Sequence, residues 1–186
     1  MAGLLRTRLQ EIRMPIEIQE YLLHYPDVLN LAILVSEDAP ETPILLPLWV
    51  RIAQAAPRFE LRIFRDVDEL SLLEWMAEEL ELTEAVDNLE LPLGLIFDEE
   101  WNFQLQWGPH PAAAEPYLDQ WFAQHPEYEV LAEDEGTEAQ ARYGVLLDDL
   151  IQQMRVWYNS ELNKVCLQEI LEALIALQGA EDENEE

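Results

Sequence analysis

Leu31-Ala32-Ile33-Leu34-Val35 runs directly into Ser36-Glu37-Asp38-Ala39-Pro40-Glu41-Thr42-Pro43. Five consecutive apolar residues without a polar alternate predict a strand covered on both faces, and therefore a central one. The polar, proline-bearing segment after it reads as a loop. Beyond the loop, Ile44, Leu45, Leu48, Trp49, Ile52 and Ala56 recur at three-to-four spacing and stop at Pro57, which predicts an amphipathic helix.

Outward from this unit the alternation continues. Phe59-Glu60-Leu61-Arg62-Ile63-Phe64 alternates apolar and polar side chains and predicts a half-buried strand. Leu70, Leu73, Met76, Ala77 and Leu80 mark a further helix. Pro92 to Phe97 is a third apolar strand, and Phe103 to Trp107 a fourth, joined across an acidic turn as a hairpin. Ala112 to Phe122 reads as a helix. The order defines an α/β protein with a mixed four-stranded sheet, in which alternation predicts parallel pairing and the hairpin adds an antiparallel edge.

The flanks divide by composition. Residues 1–28 form an N-terminal helical extension of two short helices broken near Pro15. The core spans 29–126. Residues 127–138 read as an exposed acidic linker, carrying Glu127, Glu129, Glu133, Asp134, Glu135 and Glu138 around Gly136. A helix pair follows over 139–178, with Leu146, Leu150, Ile151, Met154, Trp157 and Tyr158 on one face and Leu167, Ile170, Leu171, Leu174 and Ile175 on the other, parted at Asn159 to Asn163. Residues 179–186 are acid-rich and read as a disordered tail.

Charge excludes several functions. With 39 acids against 10 bases and a formal charge of -29 over 186 residues, a nucleic-acid or anionic-membrane partner is disfavoured. No apolar run approaches the roughly 20 residues a transmembrane helix requires, and the N-terminal Arg6, Arg8 and Arg13 interrupt any signal-like core, so a cytoplasmic protein is expected. One cysteine, Cys166, permits neither an intrachain disulfide nor a Cys-x-x-Cys couple. Six glycines form no phosphate loop, and His24, His110 and His125 lack zinc-ligand spacing. No metal, cofactor or catalytic residue is expected.

Several segments resemble a bacterial thioredoxin-like family whose members read strand, Trp-Cys-Gly-Asp, helix. The counterpart here is Leu34 to Pro43. The family's Ile-Pro entering its third strand is matched by Leu91-Pro92, and its Trp-Gly-Pro-Arg-Pro by Trp107-Gly108-Pro109-His110-Pro111. Trp157-Tyr158-Asn159 and the apolar helix Leu167 to Leu177 are similar to the family's ending. The resemblance spans about Leu31 to Leu177 and implies a thioredoxin-like fold with a cis peptide bond before Pro92.

It also implies where redox chemistry would sit, and that place holds no sulfur. A thioredoxin-type thiolate is stabilised at a helix start. Ala39, Pro40, Glu41 and Thr42 stand there and cannot exchange disulfides. Glu41 reads as an ordinary first-turn acid, and Cys166 as a partly buried structural residue. The expected function is a redox-inactive protein-binding or chaperone-like module whose relic groove comprises Ala39, Pro40, Glu41, Thr42, Leu91 and Pro92. Trp107, Gly108, Pro109 and His110 form a secondary surface. The partner is an unknown protein, and pairing of two copies through the C-terminal helices is compatible with the sequence. The alternatives are an oxidoreductase using Cys166 alone and an acidic decoy or escort for a basic partner.

Overall fold

Strand β1 (Leu29–Val35) is buried along its whole length, as its apolar run requires. In the computed structural model, which describes residues 2–65 and 90–184, it is flanked on both edges. Strand β2 (Phe59–Arg65) pairs parallel to it, whereas β3 (Leu93–Phe97) pairs antiparallel on the other side. Strand β4 (Phe103–Trp107) closes the hairpin, giving the order β2-β1-β3-β4. The expectation of parallel pairing is thus corrected for β3. Leu93 stands opposite Leu34 and Arg65 opposite Val35, so β2 ends and β3 begins at the same end of the sheet. The connection need not cross the sheet, and β3 runs back. The helix expected over Leu70 to Leu80 lies outside the described residues.

Helices α1 (Ala2–Glu11), α2 (Ile16–Leu23) and α3 (Thr42–Ala55) cover one face. Pro15 separates the first two as expected. From this N-terminal extension Ile12, Met14, Ile18, Leu22 and Tyr25 join the main core with Leu31, Ile33, Leu48 and Trp49. Apolar side chains at helical spacing bury best against an existing apolar face. On the other face Ala32, Leu34, Leu93, Leu95 and Phe97 form a second, smaller cluster.

The acidic linker is a second correction. After α4 (Glu115–Gln124), Tyr128–Glu133 forms a short helix α5, and α6 (Thr137–Trp157) begins inside the segment assigned to the linker. Tyr128 and Leu131 are buried, and the Tyr128 and Tyr143 rings lie 5.1 Å apart. Two apolar anchors, with the acids turned to solvent, are enough to order a charged stretch.

The chain does not break at Asn159 to Asn163. Tyr158–Leu162 is a π-helical turn joining α6 to α7 (Asn163–Asn184). The tail expected to be disordered is helical as far as Asn184, continuing α7, with Ala180, Glu181 and Glu183 offsetting the poorer helix formers Gly179, Asp182 and Asn184. Leu150, Met154, Tyr158, Leu162, Leu167, Ile170 and Leu174 are buried in the main core, so both C-terminal helices pack an apolar face on their own chain, while Val145, Val156 and Ile175 stay exposed. Among the described residues no helix is long and apolar enough to cross a membrane.

Candidate functional site

The strand directions determine which loops meet. Because β3 is antiparallel to β1 and β4 antiparallel to β3, the exit of β1, the entry to β3 and the exit of β4 share one end of the sheet. These three places carry Ser36 to Thr42, Leu91-Pro92 and Trp107 to His110. Each group of residues singled out in the sequence therefore lies at the same end.

Two cis peptide bonds shape this end, Leu91-Pro92 and Gly108-Pro109. The first is the isomer the resemblance implies, and the second was not expected. Gly108 has φ +137, and a Cβ there would stand 2.6 Å from the Pro92 carbonyl oxygen, so only glycine lets the two proline segments lie against each other. Gly94 has a different constraint. A Cβ on it would stand 2.2 Å from Trp49 Cζ2, and that indole in turn meets Trp107 edge-to-face with ring centroids 5.9 Å apart. Trp107 Nε1 donates to Glu169 at 3.0 Å, which ties α7 to the rim.

Within the loop, Thr42 is buried and its hydroxyl donates to the Ser36 carbonyl at 2.7 Å, so it closes the loop rather than facing a ligand. Ala39 and Pro40 remain half-exposed. Pro92 is buried beside half-buried Leu91.

Glu41 is not the solvated first-turn acid expected from its position. It precedes α3, whose Ile44 and Leu45 amides donate to its carbonyl at 2.9 and 2.8 Å, but its side chain is only 13% exposed. Burial pushes its carboxyl up to about 7, its own backbone hydrogen bond works against this, and the charge of Glu90 adds to it. Desolvation here outweighs the helix dipole. His110 faces it, Nδ1 standing 4.0 Å from Glu41 Oε1 with no hydrogen-bond partner. Burial lowers the imidazole's affinity for a proton, opposed by Glu90 and Glu115. Near neutrality the two therefore face each other as a partly protonated acid and a neutral imidazole, not as a full ion pair. The pentapeptide Trp107 to Pro111 singles out His110 in the sequence, but nothing in the linear sequence joins residue 41 to residue 110.

Cys166 lies elsewhere, fully buried on α7. Burial, with a contribution from Glu169, pushes its thiol well above the ordinary range. Among the described residues no group of three or more His, Cys, Asp or Glu side chains could hold a metal.

This architecture is that of a mixed α/β protein with a four-stranded sheet and flanking helices. No protein-family model matches the chain, and no curated protein matches it. Among solved structures, it is similar to a protein of unknown function from Pseudomonas aeruginosa, with a TM-score of 0.51, 18% identity and 82% of each chain covered. An HIV epitope-scaffold aligns with a TM-score of 0.48 and 15% identity, over 82% of this chain and 83% of its own. At such identities the likeness to the bacterial protein is one of fold alone.

Proposed function

We propose that this chain is a redox-inactive, thioredoxin-like protein that binds an extended segment of a partner protein in the groove between Ala39 to Thr42 and Leu91-Pro92. The observation that carries this reading is that the loop before α3 and Leu91-Pro92 share one end of the sheet, at a helix start that holds Glu41 and no thiol. Ala39, Pro40 and Leu91 offer apolar surface at the rim, and Glu41 with His110 supplies buried polar groups. Both can exchange hydrogen bonds with a polypeptide backbone without a permanent charge.

The rival readings have less support. An oxidoreductase relying on Cys166 needs an exposed thiolate, and this sulfur is enclosed and far from ionising. A decoy needs ordered carboxylates on one face. The exposed acids here are spread over α2, the hairpin turn, α4, α5 and α6, as Glu17, Glu100, Asp119, Glu129 and Asp148 illustrate.

Two experiments test the proposal. In an insulin-reduction assay with dithiothreitol, no acceleration is expected, and clear turnover overturns the redox-inactive reading. A photoreactive residue placed at Ala39 should cross-link a discrete protein partner that is not captured from Val145, an exposed position on α6. The adduct should disappear in Glu41→Lys. Equal labelling from both positions rules out the groove.

A further inference from the structure

A second concavity lies away from the groove, where the end of α1 faces the π-helical turn. Its volume is about 460 Å³, within the range of small-molecule sites, and Gln10, Arg13, Asn159, Ser160, Asn163 and Lys164 contribute to its wall. The chain has only ten bases, and its sole lysine is here. Neither Arg13 nor Lys164 has an ion-pair partner among the described residues.

The two carboxylates at this pocket are already engaged. Glu11 is gripped by Arg155, whose Nε donates to both its oxygens at 3.0 Å, and it also accepts from Asn159 Nδ2 at 3.0 Å. Glu161 accepts from the Tyr117 hydroxyl. Below the pocket, Arg8 is fully buried and donates to Asn159, to Asn163 Oδ1 at 3.0 Å and to Glu11 at 3.4 Å. Four cations thus surround two occupied acids, and the local charge is opposite in sign to that of the whole chain.

Unused polarity lies at the Tyr158 wall of the pocket and on Arg8, which is bonded to the pocket's Asn159, Asn163 and Glu11. Arg8 Nε and the Tyr158 hydroxyl are buried without a hydrogen-bond partner. A π-turn inside a long helix interrupts regular bonding, and such turns occur frequently at functional sites. This one places Asn159 and Ser160, with Asn163 at the start of α7, beside the two free cations.

We propose that this pocket binds a small anion bearing phosphate or carboxylate groups, held by Arg13 and Lys164 with the second amide N–H of Asn159 and of Asn163, whose first N–H groups are given to Glu11 and to Asn159. The net negative charge of the chain does not forbid it. At physiological salt, charges beyond about 8 Å are largely screened, whereas direct charge-assisted hydrogen bonds are short-ranged.

Calorimetric titration at constant ionic strength with inorganic phosphate, ribose 5-phosphate and citrate tests this, with sodium chloride as the reference. Saturable binding of at least one of the three is expected. Binding of the two phosphates alone assigns a phosphoryl ligand, and binding of citrate alone a carboxylate one. The double variant Arg13→Gln/Lys164→Gln should weaken binding at least about tenfold, as removal of charge-assisted bonds does. Arg6→Gln, an exposed change on the same helix outside the pocket, should leave it unchanged and guards against a general charge effect. Absence of saturable binding by all three, or equal loss in Arg6→Gln, overturns the proposal.

Discussion

Glu41 Oε1 and His110 Nδ1 lie 4.0 Å apart, largely enclosed, at the end of the sheet where three loops converge. The raised carboxyl has a measurable consequence. A group whose value rises from 4.5 to about 7 on folding contributes its full stability below pH 4.5 and loses it as the pH rises through about 7. The difference amounts to about 3 kcal/mol. Glu41→Gln should therefore be the more stable protein at about pH 8, with a flatter denaturation midpoint between about pH 5 and 8. His110 acts in the opposite sense, losing stability as the pH falls, but it does so in both proteins, so the difference isolates Glu41. Equal pH slopes in urea melts of the two proteins contradict the buried acid.

Arg8 bridges α1 to α3 and to the π-turn through Ile44 O at 3.4 Å, Asn159 and Asn163. Arg8→Met keeps volume but removes the donor to buried Asn163 Oδ1 and one of the donors to Asn159 and Glu11, and should cost about 3 kcal/mol. Urea denaturation at neutral pH checks this, and a change of a few tenths would show the network to be incidental.

Glu11 supplies the acid limb of the pH profile. Its carboxyl is held down at about 2 by hydrogen bonds from Arg155, Asn159 and Arg8. That contribution is present above pH 4.5 and lost as the pH falls toward 2. Thermal melts in acid should show a shallower decline for Glu11→Gln, which has no charge left to titrate, than for the native protein.

Gly94 is packed under Trp49, with no room for a methyl group. Gly94→Ala should destabilise by about 2 kcal/mol through overpacking. Trp49→Phe introduced with it should recover part of the loss, because the smaller ring vacates the contact. A double-mutant cycle that is strictly additive argues against direct coupling of the two positions.

Cys166 should react with a soluble aromatic disulfide only slowly in the native state and rapidly in denaturant. Burial both blocks access and suppresses the thiolate. Fast stoichiometric labelling of native protein contradicts this placement.

The elements whose periodicity reports burial were legible in the sequence. The apolar run from Leu31, the spacing from Ile44 to Ile52 and the alternation from Phe103 to Trp107 correspond to β1, α3 and β4. Pro15 correctly separates α1 from α2 because proline cannot continue a helix. The acidic segment was misread, since its charge overshadowed two buried anchors, Tyr128 and Leu131, the first enclosed by Trp121, Phe122 and Tyr143 of the flanking helices. The π-turn showed in the sequence only as an interruption at Asn159 to Asn163, because an extra residue in a helical turn shifts the apolar register without ending the helix.

The same division holds for the sites. Sequence alone determined that no thiol stands before α3, since residue identity is absolute and Cys166 is the one cysteine. It also placed the relevant loops on the strands that carry them. Only the tertiary structure decided that Glu41 meets His110, that Gly108 lies against Pro92, and that Arg13 and Lys164 share a pocket. Strand direction and helix docking create those contacts, and the desolvation that gives Glu41 its unusual proton affinity exists only once the chain has closed around it.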